Sequence, residues 1–146
     1  MALPEAFNQI VQDFNDLGAS DRVQLLIEFS DNLPGLPERL ADHPELLEPV
    51  PECQSPIFLH VEVEGTGPTA PTRVFFSAPP EAPTTRGFAG ILAEGLEGMT
   101  AGEVVGVPGD VTNMLGLAEV ISPLRLRGMG GMLARIKRQV KEKAEL

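Results

Sequence analysis

Two strand-like segments placed between helical segments are the strongest constraint on the fold of this chain. Residues 57–64 alternate apolar and polar side chains, a pattern typical of a half-buried strand. Residues 65–68, rich in glycine and ending in proline, predict a turn, and residues 72–78 predict an antiparallel return strand. Residues 48–51 are a candidate third strand flanked by prolines. We therefore expect a small antiparallel sheet.

Apolar residues at helical spacing predict two helices before this sheet. Residues 4–17 carry such a pattern, and Gly18 marks its end. Ser20 is predicted to cap a second helix, which stops before Pro34. The sheet is thus preceded by a helical region.

The second half of the chain is also predicted to be helical. Thr84 or Thr85 can cap one helix, residues 100–103 have the spacing of a capping box, and a last helix runs from Ser122 and Pro123. Three glycines weaken that last helix by about 1 kcal/mol each relative to alanine and indicate close packing against another backbone. They are Gly128, Gly130 and Gly131. Helices, a small antiparallel sheet and further helices define an α+β fold.

Length and composition indicate one domain that does not enter a membrane. The chain has 146 residues, of which 42% are hydrophobic, and we expect a single domain over residues 1–146. It has no run of about 18 consecutive apolar residues. Residues 1–5 have neither the basic nor the apolar segment of a secretion signal. We expect a cytoplasmic protein with no membrane partner.

The distribution of charge favours a protein partner over nucleic acid. The formal net charge is −10, yet basic residues outnumber acidic ones from Ser122 onward. An acidic body repels phosphate backbones, and the chain has no Trp or Tyr with which to stack on bases. The basic stretch is either a solvated helix face or part of a docking surface.

Cys53, the only cysteine, is the candidate reactive residue. Prolines at positions 49, 51 and 56 disfavour a helix or a central strand, so Cys53 is expected in a surface loop. Glu48 and Glu52 disfavour its thiolate electrostatically, so activation must come from elsewhere. The neighbouring Ile57 and Phe58 suggest that the thiol is shielded in an apolar cavity until a partner exposes it. A single thiol excludes an internal disulfide.

No resident cofactor or metal ion is expected. His43, His60 and Cys53 lack the spacing of metal ligands, and His60 is expected on the polar face of its strand. Neither of the common glycine-rich phosphate-binding patterns occurs. An iron–sulfur scaffold is also disfavoured, because clusters are held by several thiolates.

The order and spacing of several motifs over nearly the whole chain resemble the SufE family. These motifs are residues 52–58 (ECQSPIF), 85–87 (TRG), 115–117 (LGL) and 121–129 (ISPLRLRGM). The resemblance implies a SufE/IscU-like α+β fold. It also implies that the protein is not itself an enzyme but the sulfur-accepting partner and activator of a SufS-like cysteine desulfurase. That partner would carry pyridoxal phosphate, and an iron–sulfur scaffold would be the downstream acceptor.

The same resemblance assigns roles to residues of the reactive loop and the last helix. Cys53 would accept the persulfide sulfur, and Arg125, at the Ser-Pro-x-Arg position, would stabilise the thiolate or persulfide or contact the partner. A structural ion pair at the helix start is the alternative for Arg125. Gln54 and Ser55 either orient the persulfide or only form the turn. Glu52 stands where the family commonly has glycine.

Two other functions stay open at this point. A rhodanese-type sulfurtransferase could be the sulfur donor in place of a desulfurase. Alternatively, the protein is a non-catalytic adaptor of sulfur metabolism in which Cys53 is incidental. The behaviour of a Cys53→Ser variant separates the adaptor from the sulfur carrier.

Overall fold

The computed structural model describes residues 3–146, so the first two residues of the N-terminal run considered above lie outside the described residues. Helices precede and follow three strands along the chain. The elements are α1 (Glu5–Asn15), α2 (Ala19–Asp31), α3 (Glu38–Ala41), β1 (Glu48–Pro49), β2 (Phe58–Val63), β3 (Thr72–Ser77), α4 (Pro83–Gly95), α5 (Ala101–Gly106) and α6 (Pro123–Ala144). Turns of 3-10 helix span Pro44–Leu46, Pro51–Cys53, Val111–Leu115 and Leu117–Glu119. This confirms the α+β prediction.

The sheet is antiparallel with the order β1-β2-β3. In the predicted hairpin, Phe58 lies opposite Ser77 and His60 opposite Phe75. The candidate third strand exists but has only two residues, Glu48–Pro49, paired with the start of β2. It stays short because prolines lack the N–H that a longer ladder needs.

Helix α6 extends the bonding of β2 where β1 has ended. The Val61 N–H donates to Gln139 Oε1 at 3.1 Å, and Lys143 Nζ donates to the Val61 carbonyl. Gln139 is itself buried, at 6% exposure. Side chains of α6 thus satisfy backbone groups of β2 and hold the helix against the sheet.

Helix α4 forms the centre of the helical layer. Its Phe88, Ile91 and Leu92 are fully buried. Gly87 and Gly90 let α2 approach closely, because a Cβ atom at these positions would lie 2.6 Å from the Leu26 carbonyl oxygen and 2.3 Å from that of Phe29, respectively. These two helices form one side of the core.

The structure corrects two of the predicted helix starts. Helix α2 begins after Gly18 without a side-chain cap, so Ser20 lies inside its first turn. Helix α4 begins at Pro83, whose fixed φ suits the first helical position, and Thr84 and Thr85 lie just inside. By contrast, the capping box over residues 100–103 and the start of the last helix at Ser122 and Pro123 are confirmed, and the Ser122 side chain caps that helix. No helix within residues 3–146 is long and apolar enough to cross a bilayer.

Candidate functional site

Cys53 lies at the end of a short turn that joins β1 to β2. The Val50 N–H donates to the Ile57 carbonyl at 2.9 Å and closes the base of this connection. Inside it, the Cys53 N–H donates to the Val50 carbonyl at 3.1 Å and the Gln54 N–H to the Pro51 carbonyl at 3.2 Å. We call residues 50–57 the Cys53 loop. Its position confirms that Cys53 is in a loop.

The sulfur itself is shielded, although the loop lies at the surface. Cys53 is only 9% exposed and belongs to the hydrophobic core. Glu52 and Gln54, on either side of it in sequence, are exposed. This agrees with the expectation of a thiol that is tucked inward at rest.

Two glycines of α6 allow the Cys53 loop to lie directly on that helix. A Cβ atom on Gly128 would lie 2.9 Å from Cys53 Sγ and 3.1 Å from its Cα. A Cβ atom on Gly131 would lie 2.6 Å from Glu52 Oε2. The predicted close packing is therefore confirmed for Gly128 and Gly131. It is wrong for Gly130, where a Cβ atom would meet nothing within 4 Å in the described part of the chain.

A cavity of about 470 Å³ also borders the thiol. Its lining includes Cys53, Gln54 and Ser55 of the loop, the start of α4 with the residues before it, and Arg125 of α6. Arg125 is exposed, and its side chain has no hydrogen bond or ion pair within residues 3–146. The structural ion pair considered for Arg125 is therefore not observed. Sequence-distant residues are brought together here around one thiol.

Burial raises the pKa of the Cys53 thiol to about 11, and the neighbouring Glu52 carboxylate adds to this effect. The positive charge of Arg135 acts in the opposite direction but is too weak to compensate. The closed site therefore holds a protonated, poorly nucleophilic sulfur at neutral pH.

Arg135 is the residue of this site that sequence reasoning missed. Its Nη1 donates to Glu52 Oε2 at 2.5 Å, and its Nε lies 3.3 Å from Glu48 Oε2. The hydrogen bond from Arg135 lowers the pKa of Glu52, so this carboxyl group is ionised at neutral pH. The sequence signal that could have identified Arg135 is helical spacing, because Gly128, Gly131 and Arg135 lie on one face of α6.

The other residues predicted from the sequence make few polar contacts. The side chains of Gln54 and Ser55 border the cavity without a hydrogen-bond partner in the described part of the chain. His60 is half-buried, with its Nε2 3.6 Å from Glu62 Oε2. Within residues 3–146, no group of three or more His, Cys, Asp or Glu side chains is placed to hold a metal ion.

Comparisons with known proteins show which family this chain resembles. The family described as "SufE: Fe-S metabolism associated domain" matches residues 8–140. An uncharacterized SufE-like protein of Mycobacterium tuberculosis is 52% identical over 141 residues, which cover 97% of this chain and 95% of that protein. An uncharacterized SufE-like protein of Rhizobium meliloti is 29% identical over 136 residues, or 90% of this chain and 92% of that protein.

A solved structure shares the whole fold. The solution structure of a hypothetical protein from Thermus thermophilus superposes with a TM-score of 0.84 at 37% sequence identity. The match covers 99% of this chain and 100% of that one. With a family match over most of its length and relatives that share its full extent, this chain belongs to the SufE family, whose domain is associated with Fe–S metabolism.

Proposed function

We propose that the protein is a sulfur carrier that accepts persulfide sulfur on Cys53 from a cysteine desulfurase, stimulates that enzyme and delivers the sulfur to iron–sulfur cluster assembly. The observation that carries the proposal is the placement of the only thiol within a surface loop, packed against a helix and bordering a cavity. That cavity is bordered by an arginine that has no side-chain partner within residues 3–146. Membership of the SufE family supports the link to Fe–S metabolism.

The transfer itself is an exchange at a persulfide. The Cys53 thiolate attacks the outer sulfur of the donor's persulfide, the sulfur–sulfur bond of the donor breaks, and the donor cysteine leaves as a thiolate. Cys53 then carries the persulfide, and no external oxidant or reductant is needed. Delivery repeats the exchange, with the acceptor's thiolate attacking the outer sulfur on Cys53.

The closed site must change before this chemistry can occur. With a pKa of about 11, the thiolate fraction of Cys53 at pH 7 is roughly one in ten thousand. Movement of the Cys53 loop away from α6 would remove the burial that raises the pKa and would expose the sulfur. We therefore propose that the partner binds or induces an open loop, which links docking to activation.

Arg125 is proposed to act from the cavity that borders the thiol. Its side chain is exposed, borders the same cavity as Cys53 and has no other partner within residues 3–146. A guanidinium there can stabilise a thiolate or persulfide anion, or contact an acidic group of the partner. Gln54 and Ser55 offer polar groups to the same cavity.

The chain itself is proposed to hold no cofactor. The desulfurase partner would supply pyridoxal phosphate and the persulfide. A rhodanese-type sulfurtransferase would supply the same persulfide chemistry, so the donor is decided by experiment.

The test is intact-mass measurement after incubation with a SufS-like cysteine desulfurase and cysteine, without reductant. We expect a gain of one sulfur that is absent from the Cys53→Ser variant. No gain with the desulfurase, but a gain with thiosulfate and a rhodanese, would replace the proposed donor. Stimulation of the desulfurase by Cys53→Ser at the wild-type level would favour the adaptor.

A further inference from the structure

Glu52 connects the residue next to the thiol with the middle of α6. Its carboxylate accepts a hydrogen bond from Arg135 Nη1 and lies over Gly131, where any side chain would collide with it. Arg135 also lies within ion-pair distance of Glu48, in the strand that leads into the Cys53 loop. One arginine therefore binds both the entry to the loop and the residue that precedes the sulfur.

The arginine is held in place by its own helix. Arg135 Nη1 also donates to the Gly131 carbonyl at 3.2 Å, one turn earlier in α6. The Arg135 side chain is 22% exposed, and that of Glu52 is 37% exposed, so the pair is partly shielded from water and salt. A preorganised, partly shielded pair loses less entropy on forming than two mobile surface chains do.

We propose that Arg135 is a positioning residue for Cys53, which holds the loop closed on α6 through Glu52 and must release Glu52 before the thiol can swing out. This proposal rests on the proposed function, because it describes how the sulfur-accepting residue is withheld and released. Arg135 acts through the loop and does not touch the reacting sulfur.

Arg138 provides a matched control on the same helix. It binds Glu48 and Glu142, its side chain is 47% exposed, and within residues 3–146 no hydrogen bond or ion pair joins it to Glu52. Replacing Arg138 therefore removes an equal charge from α6 while leaving the contact beside Cys53 intact. A general effect of lowering the positive charge of α6 would appear in both variants.

The decisive measurement is hydrogen exchange of residues 50–57 in the free protein, read by mass spectrometry. Loop exchange reports opening directly and does not depend on the pKa of the thiol. In Arg135→Gln we expect loop exchange to be about 3- to 10-fold faster than in wild type, the range for losing one partly shielded ion pair. In Arg138→Gln we expect less than about a twofold change.

A double-variant comparison tests whether the two residues act as one contact. Glu52→Gln should speed loop exchange as Arg135→Gln does, and the double variant should be no faster than either single variant. Arg135→Lys should recover part of the slow exchange, because lysine keeps the charge but cannot bridge two carboxylates with a rigid fork. If Arg135→Gln does not fold, Glu52→Gln carries the test from the loop side.

The outcomes separate this proposal from the proposed function. Unchanged loop exchange in Arg135→Gln and Glu52→Gln, or strictly additive effects, would overturn the role of Arg135 even if wild type gains a sulfur. Faster loop exchange in both variants would support it. Failure of wild type to gain sulfur from either donor would instead overturn the proposed function, since the exchange experiment uses no sulfur donor.

Discussion

The two sides of Cys53 differ in almost every physical respect. Where the loop packs on the middle of α6, which we call the closed side, it is in direct contact with glycines, and the Glu52 carboxylate binds Arg135. The adjoining cavity, which we call the open side, is bordered by Arg125, an arginine near the start of the same helix without a side-chain partner within residues 3–146. Two arginines of one helix therefore differ in role. In our proposal Arg135, which is paired, sets the resting position of the Cys53 loop, whereas Arg125 is available to a ligand.

The largest expected effect comes from adding a methyl group where the Cys53 loop packs on α6. In Gly128→Ala the new Cβ would lie 2.9 Å from Cys53 Sγ and 3.1 Å from its Cα, so the thiol must shift and the loop backbone must give by a few tenths of an ångström. Overpacking costs about 1–3 kcal/mol, of which about 1 kcal/mol is offset by the better helix propensity of alanine. We expect Cys53 in this variant to be alkylated by iodoacetamide more than about tenfold faster than in wild type, because the loop is displaced.

Gly130→Ala is the control for that experiment. Within residues 3–146, nothing lies within 4 Å of a Cβ atom at this position, so the variant should gain up to about 1 kcal/mol in urea unfolding. Its alkylation rate should equal that of wild type. If Gly128→Ala were alkylated as slowly as Gly130→Ala, close packing on α6 would not be what shields the thiol.

The next effect is expected on the open side. Arg125→Ala should lower the rate of sulfur transfer to Cys53 about 3- to 10-fold, because a charge-assisted contact to an anion is lost. The free energy of unfolding should change by less than about 0.5 kcal/mol, since the side chain is exposed and makes no ion pair with the described residues. Arg127→Ala, which removes a nearby arginine that does not border the cavity, is the matched control. A large loss of stability in Arg125→Ala would contradict the assignment to the site.

The last prediction concerns the dependence of stability on pH. The pKa of Cys53 is raised in the folded protein from an ordinary value of 9.0 to about 11. The folded state therefore retains a proton that the unfolded state loses, and stability falls as pH rises through this window. We expect the free energy of unfolding of wild type, measured in urea from about pH 8 to 10.5, to fall relative to that of Cys53→Ser as the pH rises. If the free energies of unfolding of the two proteins changed in parallel with pH, the folded structure would not raise the pKa of the thiol.

The secondary structure was predictable because its signals are local. Residues 57–78 form the expected hairpin because alternation and turn chemistry act within a few residues. The predicted start of α2 was wrong because several small or polar residues near Gly18 are each suited to the N-cap position. Such errors shift an end by a residue or two and leave the fold unchanged.

The site was predictable only in part. Cys53 stood out as a lone thiol among prolines, and Arg125 was found through resemblance to the family. Arg135 was missed because its partner Glu52 is 83 residues away in sequence, and nothing local distinguishes it from other arginines of α6. The glycines suggested close contact, but only the folded chain shows that the contact is the loop of the thiol.

The backbone of Gln54 makes the closed loop a store of conformational strain. Its φ of 59° lies in the left-handed region, which a residue with a side chain occupies at a cost of about 1 kcal/mol relative to glycine. An opening of the loop that relaxed this turn would release the strain, so the residue just beyond the sulfur would then contribute free energy in favour of opening.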